Sequence, residues 1–212
     1  MAPQTDPLIR LLQQKPEVLK LLGRVWDILY IEGRGPEVGK RRENFIKEML
    51  RREFGLQVTS APPTERGWDF SIVIGGVVKK YSLKTAEGIS TMKVAWNGFP
   101  SIERARRFRF EHPIIYVDMN RRNGEISVYV FEVDDLEELK KKMGDSMWWI
   151  PKKETNPRGF GINTTAVKKL MEKAKEKGNF VSSKYDPIDI SKIEEEYWRN
   201  LYNTLKELAM KG

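Results

Sequence analysis

One hairpin restricts this chain more than any other stretch. Residues 67–85, GWDFSIVIGGVVKKYSLKT, read as two apolar alternating runs joined at Gly75-Gly76, a dipeptide suited to a tight hairpin turn. Yet Asp69 stands in the first run and Lys84 near the end of the second. Both residue types are depleted in strands, and an ionised side chain on a core strand is costly unless it is paired or binds a metal. Alternate strand residues face the same side, so Asp69, Ser82 and Lys84 can converge at one end of the hairpin. That convergence is either a partly buried ion pair or a functional site.

Composition narrows the chemistry. The chain has no cysteine, which removes disulfides, thiol nucleophiles and Cys-ligated zinc, and its single histidine, His112, leaves no His-rich zinc site or Ser-His triad in prospect. His112 precedes the apolar run PIIYV and reads as structural. Catalysis by such a chain rests on carboxylates, lysines and hydroxyls, which suit hard, oxygen-bound cations such as Mg²⁺. The formal net charge of +8 favours a polyanionic partner, although a Lys- and Glu-rich surface of the thermophile kind gives a similar composition. The distribution is more telling: SIERARRFRF, residues 101–110, sets Arg104, Arg106, Arg107 and Arg109 among aromatics, the pattern of a phosphate-facing patch. No apolar run approaches the ~20 residues that span a bilayer, and MAPQTDPLIRLLQQ lacks the basic start and apolar stretch of a signal peptide. The expectation is a cytoplasmic protein without a membrane partner.

Prolines at positions 7 and 16 mark two helix starts, and the periodicity predicts helices over 7–14 and 16–31, the second with Leu19, Leu22, Val25, Trp26 and Leu29 on one face. A helix over 37–53 follows, then a strand at 56–60 and the hairpin. Residues 86–100 have no clear period. A short basic helix near 101–108 precedes strands at 113–119 and 125–131, then helices at 135–143, 164–177 and 190–210, with an irregular stretch around MWWIPKKETNPRGFG. The order predicts one α/β domain around a mixed sheet: a helical N-terminal extension (1–36), a core (37–135) and a loop-and-helix C-terminal part (136–212).

With these residues in view, the chain resembles the PD-(D/E)xK nuclease superfamily, with local similarity to archaeal Holliday-junction resolvases. GKRRE at 39–43 matches the resolvases' early helix, GWD at 67–69 the aspartate strand, and SLK at 82–84 the (D/E)xK tripeptide. The resemblance covers about residues 37–86 and departs from the family pattern at Ser82, which stands where Asp or Glu is usual. It implies a restriction-endonuclease-like fold with Glu43, Asp69, Ser82 and Lys84 as the catalytic set. Asp69 and Glu43 would hold Mg²⁺ (or Mn²⁺), with Glu48 and Glu87 as fallback ligands, and Lys84 would contact the scissile phosphate or the attacking water. Glu43 also fits a plain i,i+4 pair with Lys47 on a helix surface.

Within that family the best fit is a type II restriction endonuclease acting on double-stranded DNA. The alternatives are a structure-specific nuclease, such as a junction resolvase or repair enzyme, and a non-catalytic DNA-binding protein on a degenerate core, which Ser82 favours. The segment 85–101 offers Ser90, Thr91, Lys93 and Asn97 as hydrogen-bonding groups and Met92 and Trp96 as wedges or stacking surfaces. A second candidate reading loop carries Lys152, Lys153, Asn156 and Arg158. Cutting both strands of a short palindrome calls for a homodimer, with Trp26 and Leu29, or the terminal stripe Tyr197, Leu201, Leu205 and Leu208, as candidate contact surfaces.

Overall fold

The structure, a computed structural model, describes residues 5–32, 36–62, 64–65, 67–151 and 158–211. Three helices come first: α1 (Pro7–Gln14), α2 (Pro16–Leu29) and α3 (Pro36–Phe54). Proline opens each, where its missing N–H leaves no bond unmade, and Asp6 caps α1 by accepting from Leu8 N at 2.8 Å. Strands β1 (Gln57–Ser60), β2 (Phe70–Ile74) and β3 (Val77–Glu87) then form an antiparallel meander. β4 (Met92–Ala95) and α4 (Ile102–Arg107) cross to β5 (Ile114–Asn120), which lies parallel to β3. β6 (Glu125–Phe131), α5 (Val133–Met143), β7 (Trp148–Trp149), β8 (Phe160–Ile162), α6 (Thr164–Glu176), β9 (Phe180–Lys184) and α7 (Ile190–Met210) complete the order.

Six strands form a mixed sheet in the order β1-β2-β3-β5-β6-β9, antiparallel except at β3–β5. The period of two along β5 divides the core. Ile115, Val117 and Met119 face one side, against α1, α2 and α3; Ile114 and Tyr116 face the other, against α5, α6 and the segment around β4. This is the expected mixed α/β domain, with helical additions at both ends of the chain.

The segments without a clear period are where the structure adds most. β4, β8 and β7 pair with one another into a second, three-stranded sheet. Strands of two to four residues are too short to show alternation, and β8 (Phe-Gly-Ile) is buried along its whole length. β9 was not expected either: it is an edge strand with exposed Ser182 and Lys184, so it carries little apolar signal. Trp26, expected as a possible dimer contact, is fully buried in its own core, with the Arg42 guanidinium 4.7 Å from its ring.

Candidate active site

Asp69 precedes β2 and is fixed on both sides by backbone bonds: its N donates to Tyr81 O at 2.8 Å, and Ala61 N donates to its O at 2.9 Å. The antiparallel register sets Phe70 opposite Tyr81, which brings Asp69 level with Ser82. Its side chain then receives Leu83 N at 2.6 Å and Ser82 Oγ at 3.1 Å, with Lys84 Nζ at 3.8 Å. All three approach Oδ2, leaving Oδ1 outside these contacts. The three side chains that strand alternation assigns to one end of the hairpin do meet there. The pair is only partly sheltered, with side-chain exposures of 31% for Asp69 and 17% for Lys84.

Glu43 enters from α3. Its Oε1 takes Lys40 Nζ at 2.8 Å and Lys47 Nζ at 2.9 Å, and Lys47 also donates to Ser60 Oγ on β1 at 2.9 Å. The i,i+4 pair is therefore present, but it is not a surface pair: Lys47 is 4% exposed and Glu43 lines the same cleft as Asp69 and Lys84. Glu48 is half-exposed and held by Arg51 at 3.2 Å and Arg52 at 2.6 Å, which keep its carboxyl below the usual range. Neither Glu48 nor Glu87 lines the clefts described here. Among the described residues no three acidic or imidazole side chains cluster as a metal cage. Two carboxylates, each with an oxygen outside the lysine contacts, still suit Mg²⁺, which commonly keeps several waters and takes one or two protein carboxylates.

Two adjoining clefts share Asp69, Lys84 and Trp96. The first, about 570 Å³, is also lined by Glu43, Thr91 and Lys93. The second, about 720 Å³, adds Ser82, Asn97, Arg107 and Arg109. Lys93 Nζ sits 4.6 Å from the centre of the Trp96 ring, and burial lowers its pKa. Met92 is buried with Ile114 and Tyr116 on the second side of the sheet, and Ser90 is exposed shortly before β4. The arginine run is divided. Arg104, exposed, donates to Phe99 O at 2.6 Å and Asn97 O at 3.0 Å, and Arg106 pairs with Asp145 at 2.8 and 2.5 Å outside both clefts. Arg104, Arg107 and Arg109 all line the second cleft, Arg109 lying 3.6 Å from Glu137. Arg158 is exposed beside Gly159; Lys152, Lys153 and Asn156 lie outside the described residues.

His112 lines the second cleft edge-on to Trp68 at 6.5 Å, its pKa lowered by burial and then by Lys80. Nothing in the sequence singles out three further residues. Tyr116, buried beside the first cleft, has its pKa pushed up to about 12, chiefly by burial. Asp118, two residues on along the same face of β5, has an unpartnered Oδ1 and a pKa raised by burial. Phe99 is exposed in the loop after β4.

No protein-family model matches the chain, and no curated protein matches it. Among solved structures, a restriction endonuclease in complex with substrate DNA is similar, with a TM-score of 0.61 and 23% identity over 92% of this chain and 94% of that one. The fold is restriction-endonuclease-like: a central mixed sheet flanked by helices, with helical additions at both termini. No helix among the described residues is long and apolar enough to cross a membrane.

Proposed function

We propose that the chain is a metal-dependent type II restriction endonuclease, hydrolysing phosphodiester bonds of double-stranded DNA at specific sequences. The observation that carries this reading is the approach of Lys84 Nζ to Asp69 Oδ2 at 3.8 Å in an open cleft that Glu43 also lines. The solved structure with the similar fold is a restriction endonuclease bound to its substrate DNA, which supports the same class of partner here.

Asp69 and Glu43 would hold Mg²⁺, for which Mn²⁺ can substitute. A bound divalent ion polarises the phosphoryl oxygen and makes a water nucleophilic at neutral pH. Ser82 Oγ and Leu83 N fix the Asp69 carboxylate from behind, so its free oxygen needs no reorganisation. Lys84 brings a positive charge to the oxygens on which negative charge builds in the transition state. Arg107 and Arg109 suit backbone phosphates, which set register, while Thr91, Lys93 and Asn97 suit base edges, which carry sequence.

The working unit in this reading is a homodimer. One chain carries one such centre, and two-fold pairing supplies two for a two-fold symmetric site. No residue of α7 is buried, and Leu205 and Leu208 are exposed on its apolar stripe, a surface suited to a second copy. A second reading, a non-catalytic DNA-binding protein, has Ser82 in its favour: a neutral hydroxyl is a weak metal ligand. Digesting a large DNA with Mg²⁺ and sequencing the ends separates the readings. Discrete fragments sharing one terminal sequence support the restriction enzyme. Cutting confined to branched DNA would indicate a junction nuclease, and binding without cutting the non-catalytic protein.

A further inference from the structure

We propose that Phe99 is a wedge that enters a base step of duplex DNA beside the Asp69–Lys84 centre and unstacks it. The inference rests on the nuclease reading and adds to it a part of the interface that distorts the DNA. Phe99 is 78% exposed. Single exposed apolar residues are ordinary on protein surfaces, so exposure alone decides nothing. What distinguishes Phe99 is the loop that holds it.

That loop is built to stay where it is. The Arg104 guanidinium crosses beneath it, donating to the carbonyls of Phe99 and Asn97 at 2.6 and 3.0 Å. Gly159 N donates to Gly98 O at 2.9 Å, tying the loop to the approach to β8. Both glycines are required. Gly98 has φ +78° and a Cβ there would lie 2.5 Å from Arg104 Nη1; Gly159 has φ +75° and its Cβ would lie 1.8 Å from Ala95 O. A loop clamped from two sides while its most exposed apolar side chain projects into water loses little entropy when that side chain meets a partner.

The surroundings identify the partner. Phe99 lies two residues beyond Asn97, so their Cα atoms are at most about 7.6 Å apart, and Asn97 lines the same cleft as Asp69 and Lys84. Trp96, 54% exposed with the Lys93 ammonium over its ring, offers a second aromatic face on the same segment. Arg107 and Arg109 complete that cleft with charges suited to phosphates. Aromatic rings beside phosphate-binding cations match a nucleobase stack, and phenylalanine is among the side chains that proteins insert between base steps.

The test uses a duplex that the wild-type protein cuts, with 2-aminopurine at successive positions around the cut and Ca²⁺ in place of Mg²⁺. Occupancy is read separately from the anisotropy of an end label. Wild type and Phe99→Leu should raise the fluorescence several-fold at one or two adjacent positions. Phe99→Ala should abolish that rise at equal occupancy, weaken binding about 5- to 150-fold, the range of one stacking contact, and leave the thermal midpoint unchanged. A rise that persists in Phe99→Ala, or no rise in the fully occupied wild type, overturns the wedge while leaving the nuclease reading in place. Failure of the wild type to cut any duplex removes that reading and the wedge together.

Discussion

Replacing Asp69 with asparagine separates a structural ion pair from a catalytic one. The substitution is nearly isosteric and keeps an oxygen for Leu83 N and Ser82 Oγ, so the backbone at the end of the hairpin retains its partners. What disappears is one negative charge 3.8 Å from Lys84 Nζ. At an effective dielectric of about 20, that separation corresponds to about 4 kcal/mol of bare attraction. Both side chains are partly exposed, however, and measured pairs of this kind contribute about 1 kcal/mol or less to stability once solvation and ordering are included. For a chain of this size the thermal midpoint of Asp69→Asn should therefore fall by no more than about 4 °C. Catalysis should respond on a different scale. Losing one preorganised electrostatic group costs about 10²–10³ in rate. In the proposed reading Asp69 would also be one of the two carboxylates holding the cation, so single-turnover cleavage should drop at least about 10³-fold, about 4 kcal/mol in the barrier. The assay is cleavage of end-labelled duplex at saturating protein, with thermal melts on the same preparations. Cleavage within tenfold of wild type would refute the assignment. A collapse of the melting temperature beyond about 10 °C would show that the carboxylate holds the fold rather than the reaction.

Glu43→Gln should reduce cleavage at least tenfold more than Glu48→Gln, because Glu43 lines the cleft whereas Glu48 is occupied by Arg51 and Arg52 at the surface; the reverse ranking in the same assay would show that α3 contributes a different ligand. Binding to nonspecific DNA should weaken with salt, and Arg107→Ala with Arg109→Ala should make the log–log slope shallower by about 1.8, two phosphates' worth; Arg106→Ala, already paired to Asp145, should change it less. Asp118→Asn should stabilise the fold at neutral pH, since it removes the charge of a half-buried carboxylate that burial disfavours. Its folded pKa is raised, so the native state holds the extra proton, and stability should fall as pH rises from about 3.8 through that raised value; thermal melts across pH should show the gain vanish in acid. Leu205→Glu with Leu208→Glu should convert two chains per duplex into one by analytical sedimentation, and an unchanged stoichiometry would move the interface off α7.

The helices were legible because proline starts and 3.6-residue periods are local: α1, α6 and α7 lie within a residue of where the pattern sets them. The hairpin was legible for a similar reason. Given Gly75-Gly76 as the turn, register alone brings Asp69 to Ser82 and Lys84. Residues positioned by distant parts of the chain were not legible. Lys47 looks like any lysine four places from a glutamate, and only the arrival of β1, with Ser60, encloses it. Met92 and Phe99 are both apolar residues in a stretch without a period. The pairing of β4 with β8, more than sixty residues away, buries the first and leaves the second at the surface.

The arginine run makes the same distinction for charge. In composition, residues 104–109 are one basic patch, but α4 is only six residues long and turns about 100° at each step. Arg104 and Arg106 cannot share a direction on such a helix. Arg104 is held against the loop at Phe99 and still lines the second cleft with Arg107 and Arg109, whereas Arg106 reaches across to Asp145 beyond α5. Two of the four guanidinium groups thus hydrogen-bond to protein acceptors, and Arg109 lies 3.6 Å from Glu137. Arg104 lines the cleft and also fixes the backbone that carries Asn97 and Phe99. A count of basic residues therefore misses both the one guanidinium drawn away from the clefts and the one that also fixes their wall.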